Sequence, residues 1–309
     1  MAKEVIVYQA NPLIEGRREF SLLEARIFYL GLRDIVPRIT NKVKLWGDKA
    51  YNELPTTRLS SNELVKLFGN CKYYSTLEEI CDRLIKKSIK IKRTDGKGYS
   101  NYTVFAELTY NSDEGLKLEF SPKMIPWLLD LADKPFTKLP FEQIWALRSS
   151  YALRLFELLL QYQNTKTHER TLSIEELRNY LGVADDKYQD SIENFRRRVI
   201  ESSIRDINEK TSYKVEYEKI KDGRKIVGFK FKLYLPAELK REKQKKKVQE
   251  VKDIIAGLAN GKSMTGNNTP SDSRKRPMPD FMVTDKDGNK IKDPYDKPVK
   301  ITKDGKVVF

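Results

Sequence analysis

Three consecutive arginines, Arg196, Arg197 and Arg198, closely follow Asn194 in the stretch SIENFRRRVIESSI, residues 191–204. These are side chains suited to reading DNA. The planar fork of arginine pairs with guanine O6 and N7, and the amide of asparagine pairs with adenine. Whether they are free to do so depends on the helix that carries them. At about 100° per residue from Ile192, the residues Phe195, Val199 and Ser203 share one stripe that faces a core. Arg197 and Arg198 flank the outward face, with Asn194 and Glu201 between them. Arg196 lies at the edge of the stripe, where its stem can pack while its head reaches out. An ordinary solvated helix has the same pattern, so the rest of the chain must decide.

Other chemistries find little support. The chain has one histidine, His168, in the polar stretch NTKTHER, and two cysteines, Cys71 and Cys81. A zinc site needs more such ligands at regular spacing, and two cysteines make no disulfide framework. In GLANGKS (257–263) the glycines Gly257 and Gly261 enclose three residues, whereas a phosphate loop needs four and a preceding strand. Gly261 reads better as a helix stop. No catalytic residue, metal or cofactor is expected. The balance of 59 Lys+Arg against 44 Asp+Glu gives a net charge of +15. Such an excess favours a polyanionic partner, either nucleic acid or an acidic membrane surface. The N-terminal MAKEVIVYQANP lacks an apolar signal core, and no apolar run approaches membrane-spanning length. A cytoplasmic location without a membrane partner is therefore expected.

An internal duplication supplies the context. RLSSNELVKLFG (58–69) aligns with TLSIEELRNYLG (171–182), with Leu59/Leu172, Ser60/Ser173, Glu63/Glu176, Leu64/Leu177 and Gly69/Gly182 identical. Each reads as a helix with a serine cap, a glutamate reaching back to it, and a glycine stop. KYYSTLEEICDRLIKKSI (72–89) then matches KYQDSIENFRRRVIESSI (187–204), keeping Leu77/Ile192, Ile80/Phe195, Leu84/Val199 and Ile89/Ile204 in register. Cys81 stands where Arg196 does. Residues 89–105 and 213–235 each carry an Asp-Gly pair between β-rich runs, a strong hairpin signal. Helical runs at 25–35 and 153–163 precede the two copies. Three helices and a hairpin, occurring twice, predict an α+β chain of two tandem winged helices.

In such a unit the third helix lies in the major groove and the hairpin reaches the backbone or minor groove. The helix expected over 187–204 presents Lys187, Asp190, Asn194, Arg197 and Arg198. Its counterpart presents Lys72, Ser75, Glu79, Asp82 and Arg83, and its two acids would repel phosphate. The second copy is therefore expected to be the stronger base reader. Wing residues Lys219, Lys221, Arg224 and Lys225, and Lys90, Lys92, Arg93 and Lys97, suit phosphate contacts or simply keep exposed hairpins soluble. Tyr73 and Tyr188 fall near the apolar stripe and are expected in the core.

The expected organisation is a first winged helix over 1–132 and a second over 133–236. A basic helix follows over 237–260, either solvated or a docking element, and then a mobile tail over 261–309. The segments SSYALRLFELLLQY (149–162), RTLSIEELRNYLGV (170–183) and FRRRVIESSIRDINEKTSYKVEYEKIKDGRKIVGFKFKL (195–233) resemble the tandem winged-helix plasmid replication initiators that bind iterons. The resemblance covers roughly residues 5–236. It implies binding to direct repeats in double-stranded origin DNA, opening of adjacent AT-rich DNA, and recruitment of the host's initiator and replicative helicase. It also implies dimers joined through the first domain, in the region of the helix at 21–36 and the hairpin at 104–120, which repress their own promoter. Two other readings stay open: a transcriptional regulator binding an inverted repeat, and a winged-helix protein-interaction scaffold.

Overall fold

The computed structural model describes residues 4–35, 37, 56–69, 73–93, 97–189 and 191–259, together with 300–301 and 307–308. Lys72, Asp190, the Asp95-Gly96 pair, Gly261 and most of the expected tail lie outside the described residues. The chain forms two compact units, Met1–Val251 and Lys252–Phe309.

The larger unit opens with β1 (Ile6–Ala10), α1 (Asn11–Glu15) and α2 (Leu22–Arg33). Then come β2 (Thr57–Leu59), α3 (Ser61–Phe68) and α4 (Tyr74–Leu84). Two hairpins follow: β3 (Ser88–Lys92) with β4 (Tyr99–Thr103), and β5 (Phe105–Asn111) with β6 (Gly115–Phe120). After a short 3-10 turn and α5 (Ile125–Leu128), β7 (Phe136–Pro140) returns to pair antiparallel with β1. The connection between the copies is thus itself a ladder, extended by α6 (Phe141–Trp145) and α7 (Ser150–Leu160). The second copy holds β8 (Glu169–Ser173), α8 (Ile174–Leu181), α9 (Ile192–Phe195), a π-helical turn Arg196–Glu201 and α10 (Ser202–Lys210). It closes with β9 (Lys214–Asp222) and β10 (Lys225–Tyr234), and α11 (Pro236–Ala259) follows.

The duplicated helices form as their sequences dictate. Ser60 and Ser173 accept from the amides of Glu63 and Glu176, whose carboxylates accept from the serine amides in return. Such a cap contributes about 1 kcal/mol. Gly69 and Gly182 end their helices in the left-handed region, at φ 77° and 65°.

Sheet pairing corrects the expected match between wings. In the second copy the order is β8-β10-β9, and in the first it is β2-β6-β5. The hairpin equivalent to β9–β10 is therefore β5–β6, and β3–β4 is an insertion with its own two-stranded sheet. Gly115 and Gly228 occupy matching places on β6 and β10. A Cβ on either would lie 2.0 or 2.6 Å from the carbonyl oxygen of Leu59 or Leu172. The expected helix over 72–89 is also shorter, ending at Leu84. Ile89 lies on β3, where residues 88–92 alternate exposed and buried as a strand does.

One cluster of buried side chains spans both copies. Its centre is α7, whose residues from Ala152 to Leu160 are all buried, as befits a helix enclosed on every side. Two of them are charged. The Glu157 carboxylate accepts from Arg18, Arg154 and the Tyr29 hydroxyl, and the Gln9 amide donates to Tyr29 Oη at 3.1 Å. Burial, then Arg18, depresses the Arg154 guanidinium to about 10, and burial next to Glu157 raises Tyr29. A buried ion cluster of this kind fixes relative orientation more than it adds stability.

In the smaller unit β11 (Lys300–Ile301) pairs antiparallel with β12 (Val307–Val308), where only a mobile tail was expected.

Candidate nucleic-acid interface

The triple-arginine helix starts later than the periodicity implied. Ser191 caps it, accepting from the Asn194 amide at 3.2 Å, and helix runs unbroken over 192–210. Lys187 is exposed in the turn that precedes it rather than on the helix. Tyr188 has φ 58°, a left-handed conformation that a helix cannot continue through. The turn is held from beneath by Arg178 of α8. Its Nη2 donates to the carbonyls of Ala184, Asp185 and Lys187 at 3.2, 3.3 and 2.7 Å, and the guanidinium lies 5.8 Å from the Phe195 ring centroid.

Phe195, Val199, Ile200, Ser203, Ile204 and Ile207 are buried, and Arg197 and Arg198 are exposed. Arg196 is tied down. It bonds Glu193 and Glu201, and its Nη1 donates to Tyr217 Oη on β9 at 3.0 Å. The Tyr217 hydroxyl in turn donates to Glu201 at 2.6 Å. The hydrogen bond to Glu193 is the main cause of a raised Arg196 and a lowered Glu193. Arg196 was expected among the DNA contacts, but its charge is already matched by two carboxylates and its side chain is 15 % exposed. It serves as a strut between helix and wing. Among the described residues Arg198 makes no ion pair, and Arg197 makes one hydrogen bond, to Asn194 Oδ1 at 3.4 Å, with its charge also felt by the Glu193 carboxylate.

The strut coincides with the π-helical turn, in which the backbone bonds i to i+5 and turns less per residue than an α-helix. An azimuth drawn at 100° per residue therefore over-rotates positions beyond Arg196. Arg197 and Arg198 still emerge on the exposed side. The wing turns through Gly223, at φ 57°, and Arg224. Lys219, Lys221, Arg224 and Lys225 are all exposed around it.

The first copy is arranged differently. Ser75 is exposed near the start of α4. Arg83 Nε meets the buried Glu24 at 3.3 Å, and Arg83 Nη1 meets Glu79 at 3.7 Å, so its charge is shared within the copy. Arg93 and Lys97 are exposed on the inserted β3–β4 hairpin, not on the hairpin equivalent to the second wing. That equivalent hairpin, β5–β6, carries Asp113 and Glu114 at its tip, and Glu114 pairs with Arg58. Tyr73 is buried and Tyr188 packs against the core, as their positions implied.

Two residues that hold the triple-arginine helix in place escaped the sequence. Tyr217 was detectable in principle, since it alternates inward with Val215 on β9. Arg178 was not, because its partners are backbone carbonyls. Among the described residues no group of His, Cys, Asp or Glu comes together as a metal site, and no helix is long and apolar enough to cross a membrane.

Comparison with known proteins gives two family matches. The first winged helix of "Initiator Replication protein" matches residues 6–160, and the second winged helix of "Initiator Rep protein" matches residues 173–233. The crystal structure of Pi initiator protein in complex with iteron DNA superposes with a TM-score of 0.58 at 22% identity, covering 75% of this chain and 97% of that one. This likeness concerns the fold: tandem winged helices. Domains 2 and 3 of RctB match at 12% identity over 76% of this chain and 89% of theirs, with a TM-score of 0.38 that carries no structural inference.

Proposed function

The chain belongs to the initiator Rep protein family, and we propose that it starts plasmid replication by binding iterons, direct repeats in double-stranded origin DNA. The observation that carries this reading is the division of labour among the arginines. Arg196 braces the helix against the wing, which leaves Arg197 and Arg198 outward and without an ion pair among the described residues. Unmatched guanidiniums on a braced helix are prepared for guanine edges, because little ordering remains to be done on binding.

In this reading Asn194, Arg197 and Arg198 contact bases in a major groove. Lys187, Lys221, Arg224 and Lys225 contact phosphates, which position the protein without reading sequence. The first copy contributes Lys72, Ser75, Arg93 and Lys97 as weaker contacts, and Arg83 takes part only by leaving Glu24. Two readers on one side of a duplex would cover successive major grooves, about 20 bp. Opening of neighbouring AT-rich DNA would follow, with the host initiator and replicative helicase as protein partners. Dimers joined through the first copy would repress the chain's own promoter. The reading requires binding and assembly, not covalent chemistry by the chain.

Selection from a random duplex pool at about 150 mM salt tests it. A recovered site of about 20 bp that recurs as direct repeats beside AT-rich DNA is expected. Recovery of an inverted pair at a promoter would instead make the chain a regulator. Weak binding insensitive to salt would remove DNA as the partner.

A further inference from the structure

Resting on the reading above, we propose that Gly16–Glu19 is a splint that sets the distance between the two DNA readers, with Arg17 as its positioning residue. The segment joins α1 to α2 and touches both copies at the places where their reading helices begin or end. On one side it lies against the chain that leaves α4. The Arg17 amide donates to the Lys90 carbonyl at 2.9 Å, and the Lys90 amide donates back at 3.0 Å. Lys87 Nζ donates to the Glu19 carbonyl at 2.8 Å. A Cβ on Gly16 would lie 2.6 Å from Ile89 Cγ2, so the strands approach as closely as a glycine permits.

On its other side the segment meets the turn that leads into the triple-arginine helix. Both terminal nitrogens of Arg17 donate to Asp185 Oδ1 at 3.1 Å. The Arg18 carbonyl oxygen sits where a Cβ on Gly182 would be 2.3 Å away. Arg154 Nη2 donates to the carbonyls of Ile14 and Gly16 at 2.6 and 2.8 Å, and its Nε donates to the Tyr180 carbonyl at 3.0 Å. One strip of backbone thus connects the end of the first reading helix to the start of the second.

A splinted pair gains affinity because engaging the second reader costs no further loss of freedom, but only when the DNA presents both half-sites at the built distance. Inserting one base pair moves the half-sites apart by about 3.4 Å and rotates them by roughly 35°. The splint absorbs neither change.

The experiment uses the full chain and the selected site. Binding is measured on that site, on versions with one or two base pairs inserted between its halves, and on the second half alone. Wild type is expected to lose tenfold or more on insertion. Arg17→Ala and Asp185→Ala are expected to reduce that discrimination to about threefold while binding the isolated half-site as wild type does. Arg17 Nη2 also donates to Glu19 Oε1 at 2.8 Å, so the exchanged pair, Arg17→Asp with Asp185→Arg, is combined with Glu19→Gln and should restore that discrimination. Equal wild-type affinity for all spacings overturns the splint, as does an unchanged spacing profile in both single variants. If wild type binds the isolated half-site tightly while either result holds, DNA reading stands and only the splint fails. If wild type binds no site at all, the reading fails and the splint with it.

Discussion

The two copies lay out the same length of chain in two ways. Gly69 and Gly115 in the first stand at the same offset of 113 positions from Gly182 and Gly228 in the second. Between these anchors the first copy places an 11-residue α4, an inserted hairpin and a seven-residue β5. The second places continuous helix over 192–210 and a nine-residue β9. The scaffold at the anchors is common to both: a capped helix, a left-handed glycine stop, and a last strand pressed against the strand before the cap. What lies between differs in its elements, and its outward faces carry the expected contacts while its inward faces pack on the core. In the first copy the arginine of the helix that corresponds to the triple-arginine helix is matched inside the copy: Arg83 meets Glu24 and Glu79. In the second a single strut satisfies Arg196 and leaves its two neighbours available.

The largest difference should come from the arginines. Arg197→Ala with Arg198→Ala is expected to cost about 1–3 kcal/mol per lost bidentate base contact, or roughly 1.5 to 4 orders of magnitude in specific affinity for the two together. Arg83→Ala should cost less than about fivefold, since an already paired guanidinium has less to give. Titrations against the selected site and against random duplex measure both, and equal losses in the two copies would end the contrast.

The glycine stops come next. Gly69→Ala places a side chain in the left-handed region with open space around it, at a cost of about 1–2 kcal/mol. Gly182→Ala adds a collision with the Arg18 carbonyl and should lower the melting temperature clearly further. Similar melting shifts would mean that the contact between the copies gives way easily.

The hairpins should differ more modestly. Replacing Lys221, Arg224 and Lys225 with Ala should reduce the slope of log affinity against log salt by about one per side chain, without changing base preference. Arg93→Ala with Lys97→Ala on the insertion should change it by less than about one in all.

The smallest effect concerns the seam where Cys81 and Arg196 are counterparts. Burial, with Asp82 nearby, pushes the Cys81 thiol up to about 11 from 9.0. The folded state then holds its proton across that window, so this contribution to stability is complete below about pH 9 and is lost as pH rises towards 11. Peptide-resolved alkylation at pH 8 should find Cys81 nearly unreactive in the native chain and reactive in denaturant. Rapid native alkylation would show that the seam of the first copy opens.

Much of this contrast was legible in the residues. Ser60 with Glu63 and Ser173 with Glu176 announce their helices because a capping box is local, and the stripe through Phe195 and Val199 is local too. Wing equivalence was harder, because strand pairing is not local. The Asp-Gly pair at 95–96 marks a hairpin correctly but says nothing of which sheet that hairpin joins. The better signal was GLKLEF (115–120) against GFKFKL (228–233), which keeps the offset of the capped helices. The end of α4 was obscured because Ile85 and Ile89 satisfy a helical period while Ile89 and Ile91 satisfy a strand period. The late start of the second reading helix depends on the left-handed Tyr188, which its residue type does not advertise.

The Glu157 cluster also bears on the order in which the molecule can be assembled. Glu157 draws its partners Arg18 and Tyr29 from the first thirty residues, and Arg154 draws Ile14 and Gly16 from the same stretch. A polypeptide beginning after residue 132 would keep Arg154 as the carboxylate's one partner from the cluster and would uncover the face of α7 that the first copy buries. The first thirty residues thus belong to the interior shared with the second copy as well as to the first. Such long-range closure is slow to form, because the loop entropy must be overcome before the contacts repay it. The core beneath the triple-arginine helix is complete only with the first thirty residues packed against it.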